Sequence, residues 1–143
     1  MLILLAVTVG VVASAEGSEA VARQLFEQYV ALGHAYDARL ADLYSDDAVI
    51  RNKRTYPTGE VRELTMPAAR YKTLIREAMP LAKARGDRNT FSNVRYTPEG
   101  ARVRIRASRF SELKNYTSPI SLLVGRSPTG TWLIYEEVSE SRP

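Results

Sequence analysis

A tyrosine at position 29 recurs with Val21, Leu25 and Leu32 at helical spacing, so its phenol lies on the apolar face of a helix rather than toward water. A hydroxyl placed there needs a partner, which can be a core group or the carbonyl or phenol of a bound molecule. Tyr71 and Trp132 are the other aromatic residues with ligand-contact potential, although ordinary core packing is the simpler account of both. Arg102, Arg104 and Arg106 alternate with Val103, Ile105 and Ala107, and with Arg95 they fall on one sheet face at period two. That face reads as a solvated or dimer-facing surface balanced by Glu136 and Glu137, with an anion-binding stripe as the sharper alternative.

Other chemistries fail on residue type. The chain has no cysteine, so there is no disulfide, thiolate nucleophile or Cys-ligated metal. Its one histidine, His34, sits in a turn and is expected to be exposed, which leaves neither a His-rich metal site nor a Ser-His-Asp set. Asp37, Asp46 and Asp47 are accounted for by caps and turns. No Gly-rich phosphate loop is present, so neither a nucleotide cofactor nor any other cofactor is implied.

The elements that position these residues follow from periodicity. Ser18 caps a first helix running to about Gly33, and Asp37 caps a short second one with Leu40, Leu43 and Tyr44 on one side. A strand over 48–54 turns through Tyr56-Pro57-Thr58-Gly59-Glu60 into its hairpin partner over 61–65. Pro67 opens a long helix carrying Tyr71, Leu74, Ile75, Ala78 and Ala82 to Arg85, with Gly86 to end it and Pro80 expected to kink or split it. Four β-rich runs close the chain at 88–96, 101–113, 118–124 and 131–138. The order predicts an α+β fold: a strongly bent, mostly antiparallel sheet with three helices packed in its concave side.

At 143 residues with 45% apolar content the chain is expected to form one domain with a real core. Met1 to Ala13 is apolar apart from Thr8 and Gly10 and leads to Ala13-Ser14-Ala15, the pattern of a signal peptide over 1–15 before a domain over 16–143, although no Lys or Arg opens the segment. The expectation is export to a periplasmic or secreted location, with nothing long enough to span a membrane. The net charge of +4 then points to anionic envelope polymers, lipid headgroups or acidic partners before nucleic acid.

The same order, with Leu43-Tyr44-Ser45-Asp46-Asp47-Ala48-Val49-Ile50 entering the first strand and Gly130-Thr131-Trp132-Leu133-Ile134 in the last, resembles the nuclear transport factor 2-like superfamily over residues 18–139. Within it, Glu27-Gln28-Tyr29-Val30-Ala31 is similar to the first-helix motif of the ketosteroid isomerases, which implies that Tyr29 stands at their oxyanion-hole tyrosine. The resemblance puts Asn52 where those enzymes carry the general-base aspartate, and Ser121, in Pro119-Ile120-Ser121, where they carry a protonated acid. It therefore implies a polar-lined cavity at Tyr29, Asn52 and Ser121 without that isomerase chemistry, because an amide cannot take the proton. The dehydratases of the superfamily resemble a two-histidine and aspartate design, which His34 alone does not meet. Homodimers through the outer sheet face are common in the family and are expected here.

The resulting expectation is an exported protein binding a small, mostly apolar molecule, with no metal. The alternative is an interaction or envelope-scaffold module acting through its sheet face, and a further one is a cofactor-free isomerase, dehydratase or hydrolase. An enzyme requires a carboxylate or histidine reaching the cavity beside Tyr29, whereas a binder requires only Tyr, Asn, Ser and apolar side chains there. A scaffold requires a filled cavity and an exposed apolar sheet face.

Overall fold

The computed structural model describes residues 10–143, with side chains from Gly17 onward, so the proposed signal segment 1–15 lies outside the residues whose side chains are described. The elements are α1 (Gly10–His34), a 3-10 helix (Ala38–Leu43), β1 (Tyr44–Thr55), β2 (Val61–Pro67), α2 (Ala68–Arg85), β3 (Asn89–Glu99), β4 (Arg102–Ser111), β5 (Tyr116–Arg126) and β6 (Trp132–Ser141). This is the α+β order expected from periodicity. Among the described residues no helix is long and apolar enough to cross a membrane.

Ala22, Leu25, Phe26 and Tyr29 form the buried stripe of α1, which keeps Leu25 and Tyr29 of the stripe read from sequence and leaves Val21 and Leu32 half-buried at its margins. Asp37 caps the 3-10 helix, its Oδ1 accepting from the Arg39 backbone N–H at 2.9 Å. Tyr71 and Ile75 turn toward the core from α2, while Leu74 stays exposed. Pro80 does not split α2; it and Arg76, whose carbonyl it cannot pair, both face solvent, where water can take the freed acceptor. The helix ends at Gly86, whose φ of 66° is the left-handed conformation this cap requires.

The six strands form one sheet in the order β2-β1-β6-β5-β4-β3, in which β1 and β6 are parallel and all other neighbours antiparallel. Two rows cross the helix-bearing face at right angles to the strands. One runs Ile105, Leu122, Glu137, Ile50, Met66, and the next Ala107, Ile120, Ser139, Asn52, Leu64. Val103, Val124 and Ile134 continue the apolar face, each at most 1% exposed and worth roughly 1.5–3 kcal/mol of transfer free energy. A carboxylate in the middle of such a row is the exception to be explained.

Its position comes from a bulge. Leu123 pairs with Glu136 and Val124 with Ile134, which leaves Tyr135 as an extra residue on β6. Strict alternation from Ile134 would point Glu136 and Val138 at the helices; after the bulge the inward series is Glu137, Ser139 and, by its pairing with Arg54, Ser141. Both glutamates were expected to balance the arginines on the outer face, and only Glu136 does.

Candidate functional site

Glu137 is 1% exposed and lies on β6 beneath the helices. Burying a carboxyl is costly unless its oxygens are satisfied, and both are: Oε2 accepts from the Tyr44 hydroxyl and Oε1 from the Tyr71 hydroxyl at 3.0 Å. Tyr44 is supplied by the start of β1 and Tyr71 by the first turn of α2, and their rings meet edge to face at 5.3 Å, which fixes both phenols. Burial pushes the Glu137 carboxyl above its ordinary value, against the two phenols and the Arg109 guanidinium, which pull it down. Burial first, and then the Glu137 charge, push Tyr44 and Tyr71 well up. The three groups thus form a carboxyl that holds its proton unusually well beside two phenols that keep theirs.

Glu137 and Tyr71 border a cavity of about 300 Å³ on the helix-bearing face. Its apolar wall is Ile50, Leu64 and Met66, and its polar wall comes from the inward series of β1 and β6. Asn52 donates through its amide nitrogen to the Ser139 hydroxyl at 3.0 Å, and its amide oxygen accepts from the Ser141 hydroxyl at 2.8 Å. Two guanidiniums complete the lining. Arg109, continuing the inward parity of β4, donates from Nη2 to the Glu140 carbonyl at 2.7 Å. Arg54 follows Asn52 on β1, and its Nε is buried without a hydrogen-bond partner.

The residues singled out from sequence separate into groups. Asn52 and Tyr71 line this cavity together. Tyr29 is buried beside the cluster, stacked on Phe26 at 5.8 Å, and burial followed by the Glu137 charge pushes its phenol up. It borders a second cavity of about 200 Å³ between α1, α2 and β3, where Val30, Leu40, Ile75 and Phe91 make the wall. His34 is not exposed as expected: half-buried at the rim of that cavity, its Nε2 bonds the Asn89 carbonyl at 2.8 Å. Ser121 does not join Tyr29 and Asn52. Ile120 and Leu122 point into the core, so Ser121 faces the opposite side of the sheet and accepts from Arg104 Nη1 at 3.2 Å. Trp132 packs half-buried against the core at the start of β6, remote along the strand from Glu137.

The four arginines share the open face as period two requires, and the structure sorts them. Arg104 is neutralised by Glu99 at 2.8 Å and Glu136 at 2.5 Å, and the Arg102 guanidinium lies over the Tyr135 ring at 4.0 Å. Arg95 and Arg106 are paired across β3 and β4 and line a broad open-face depression. Among the described residues no group of three or more His, Cys, Asp or Glu side chains is placed to hold a metal ion.

Glu137, Arg54 and Arg109 were not singled out as site residues by sequence reasoning. Arg54 and Arg109 were legible, since each continues the inward parity of its strand from Ile50 and Ile105. Glu137 was not, because the bulge that turns it inward depends on how β5 and β6 pair.

No protein-family model matches the sequence, and no curated protein matches it. Solved structures do. A nuclear transport factor 2-like protein with a cystatin-like fold from Novosphingobium aromaticivorans is 18% identical with a TM-score of 0.62, over 90% of this chain and 84% of that one. A nuclear transport factor 2-like protein from Pseudomonas putida KT2440 is 13% identical with a TM-score of 0.67, over 88% and 87%. A protein of that family from Streptomyces avermitilis, proposed to be a dehydratase, is 12% identical with a TM-score of 0.59, over 88% and 96%. At these identities the likeness shows the fold, and the chain has the nuclear transport factor 2-like fold.

Proposed function

We propose that this protein binds a small organic molecule in the cavity between Tyr71, Asn52 and Glu137, and that Glu137 exchanges a proton with it. The observation that supports this reading is a carboxyl buried in an otherwise apolar row, bordering a cavity, with its pKa raised by burial. A structural role alone would be served as well by a leucine in that row, whereas a general base or acid works best when its pKa moves toward the working pH. The reaction class is proton transfer at a carbon next to a carbonyl, either as isomerisation or as the first step of an elimination. Elimination of water is the chemistry named for the Streptomyces avermitilis neighbour. In that step Glu137 takes the proton from carbon, and the net positive lining of the cavity favours the charge that develops on the substrate oxygen.

Small-ligand binding therefore stays as the sequence suggested, and Glu137 moves the balance from binding alone toward catalysis. Export of the domain remains part of the proposal on the strength of Ala13-Ser14-Ala15. So does a homodimer through the open sheet face, where Val138 of β6 is exposed and Arg104 of β4 is already paired with Glu136.

The test uses deuterium incorporation from D2O into a small β,γ-unsaturated ketone and a β-hydroxy ketone, followed by NMR. Wild-type protein should accelerate exchange, and Glu137→Gln should slow it by about a hundredfold or more. Equal rates for the wild type, the variant and the protein-free control would end the proposal.

A further inference from the structure

We infer that the molecule bound in this cavity carries a carboxylate, held by Arg54 and Arg109; the inference rests on the cavity being the functional site. The lining contains two guanidiniums and one carboxyl, so it is net positive even with Glu137 ionised. Among the described residues no second carboxylate lines the cavity. Arg54 is paired across the strands with Arg62 and Ser141, and Arg62 already takes Glu60 at 2.9 Å. Glu140 meets Arg109 only through its backbone carbonyl, while its carboxylate lies 4.0 Å from Lys53. Among the described residues neither cavity arginine forms an ion pair of its own.

The donors are arranged for an acceptor that is not part of the chain. A buried guanidinium N–H without a partner is costly, and the Arg54 Nε is one. Arg109 commits one terminal nitrogen to the Glu140 carbonyl, which anchors its side chain and leaves its other donors for the cavity it lines. Planar guanidiniums suit the two oxygens of a carboxylate, and Ile50, Leu64 and Met66 give the rest of the molecule an apolar wall. A monoanion balances a lining whose charge is +1 when Glu137 is ionised. With Glu137 ionised, as proton abstraction requires, a phosphate dianion overshoots that charge, which favours a carboxylate over a phosphate ester.

The probes are benzoate, benzamide and phenyl phosphate, titrated by calorimetry and by amide chemical-shift changes. Benzoate should bind more tightly than benzamide, and Arg54→Gln should weaken benzoate by about tenfold or more, toward benzamide, whose own affinity is unchanged. Arg54→Gln is the cleaner variant because its Nε has no bond to lose, whereas Arg109→Gln also frees the Glu140 carbonyl and needs its melting temperature measured alongside. Arg106→Gln on the open face should leave benzoate binding unchanged, which excludes a general charge effect. Benzamide matching benzoate, phenyl phosphate exceeding it, no binding of benzoate at millimolar concentration, or indifference to Arg54→Gln would each overturn the inference. Those failures leave the neutral-ketone exchange assay standing. Conversely, benzoate binding that depends on Arg54 without any ketone exchange would sink the proton-transfer proposal alone.

Discussion

Tyr44→Phe isolates the bond that lets a carboxylate sit in the core. The ring of Tyr44 is 2% exposed and meets Tyr71 edge-on, and phenylalanine keeps that packing while removing the hydroxyl that donates to Glu137 Oε2. With Glu137 ionised, the loss is a hydrogen bond to a charged group, about 1.5–3 kcal/mol; with Glu137 protonated it is a neutral one, about 0.5–1.5 kcal/mol. The pH dependence has a definite sign. The folded-state pKa of Glu137 is raised above 4.5, so the stability linked to its proton is fully present below that pH and is lost as pH rises through the folded value. Removing the Tyr44 hydroxyl removes a group that pulls this pKa down, so the variant binds the proton tighter still and loses more when it finally leaves. The gap between wild type and variant should grow as pH rises through the folded value, from about 1 kcal/mol with Glu137 protonated to about 2–3 kcal/mol with it ionised. Urea unfolding over a pH series, with unchanged denaturant slope, measures it. A gap that narrows as pH rises would refute the ionised-carboxylate account of the cluster.

Two further outcomes are expected elsewhere. A Cβ at Gly125 would stand 2.6 Å from Arg102 Cγ, so Gly125→Ala should push that stem off the Tyr135 ring and cost about 1–3 kcal/mol. The cost should shrink in an Arg102→Ala background, and an additive double-mutant cycle would show that the contact is not what excludes a side chain there. For export, N-terminal sequencing of protein recovered from the native envelope should begin at Glu16, and recovery of protein starting at Met1 from that fraction would count against cleavage after Ala15.

The helices and strands were legible because most of their signals are local. The α1 stripe, the Asp37 cap, the Gly86 stop and the arginine alternation of β4 each depend on residues within a turn or two of one another. Asn52 also fell where expected, because β1 alternates without interruption from Ala48 through Ile50. Ser121 shows where resemblance and periodicity disagreed. Ile120, Leu122 and Val124 alternate as a buried set, which already directs Ser121 to the other face, and the structure follows that parity rather than the aligned family position.

Glu137 lay beyond this kind of reading for a definite reason. A bulge adds one residue to one strand only, and its place is fixed by which residues of β5 oppose β6, a matter of pairing between segments rather than of either segment's sequence. Without the extra residue at Tyr135, Glu136 would enter the helix-bearing face and Glu137 would meet the arginines outside. Both arrangements pair a glutamate with Arg104. The bulged one gives the inward place opposite Leu122 to Glu137, where the hydroxyls of Tyr44 and Tyr71 reach it, in the same cavity as the unpartnered Nε of Arg54. Which of the two adjacent glutamates carries the chemistry proposed for this chain thus depends on a one-residue offset in strand pairing.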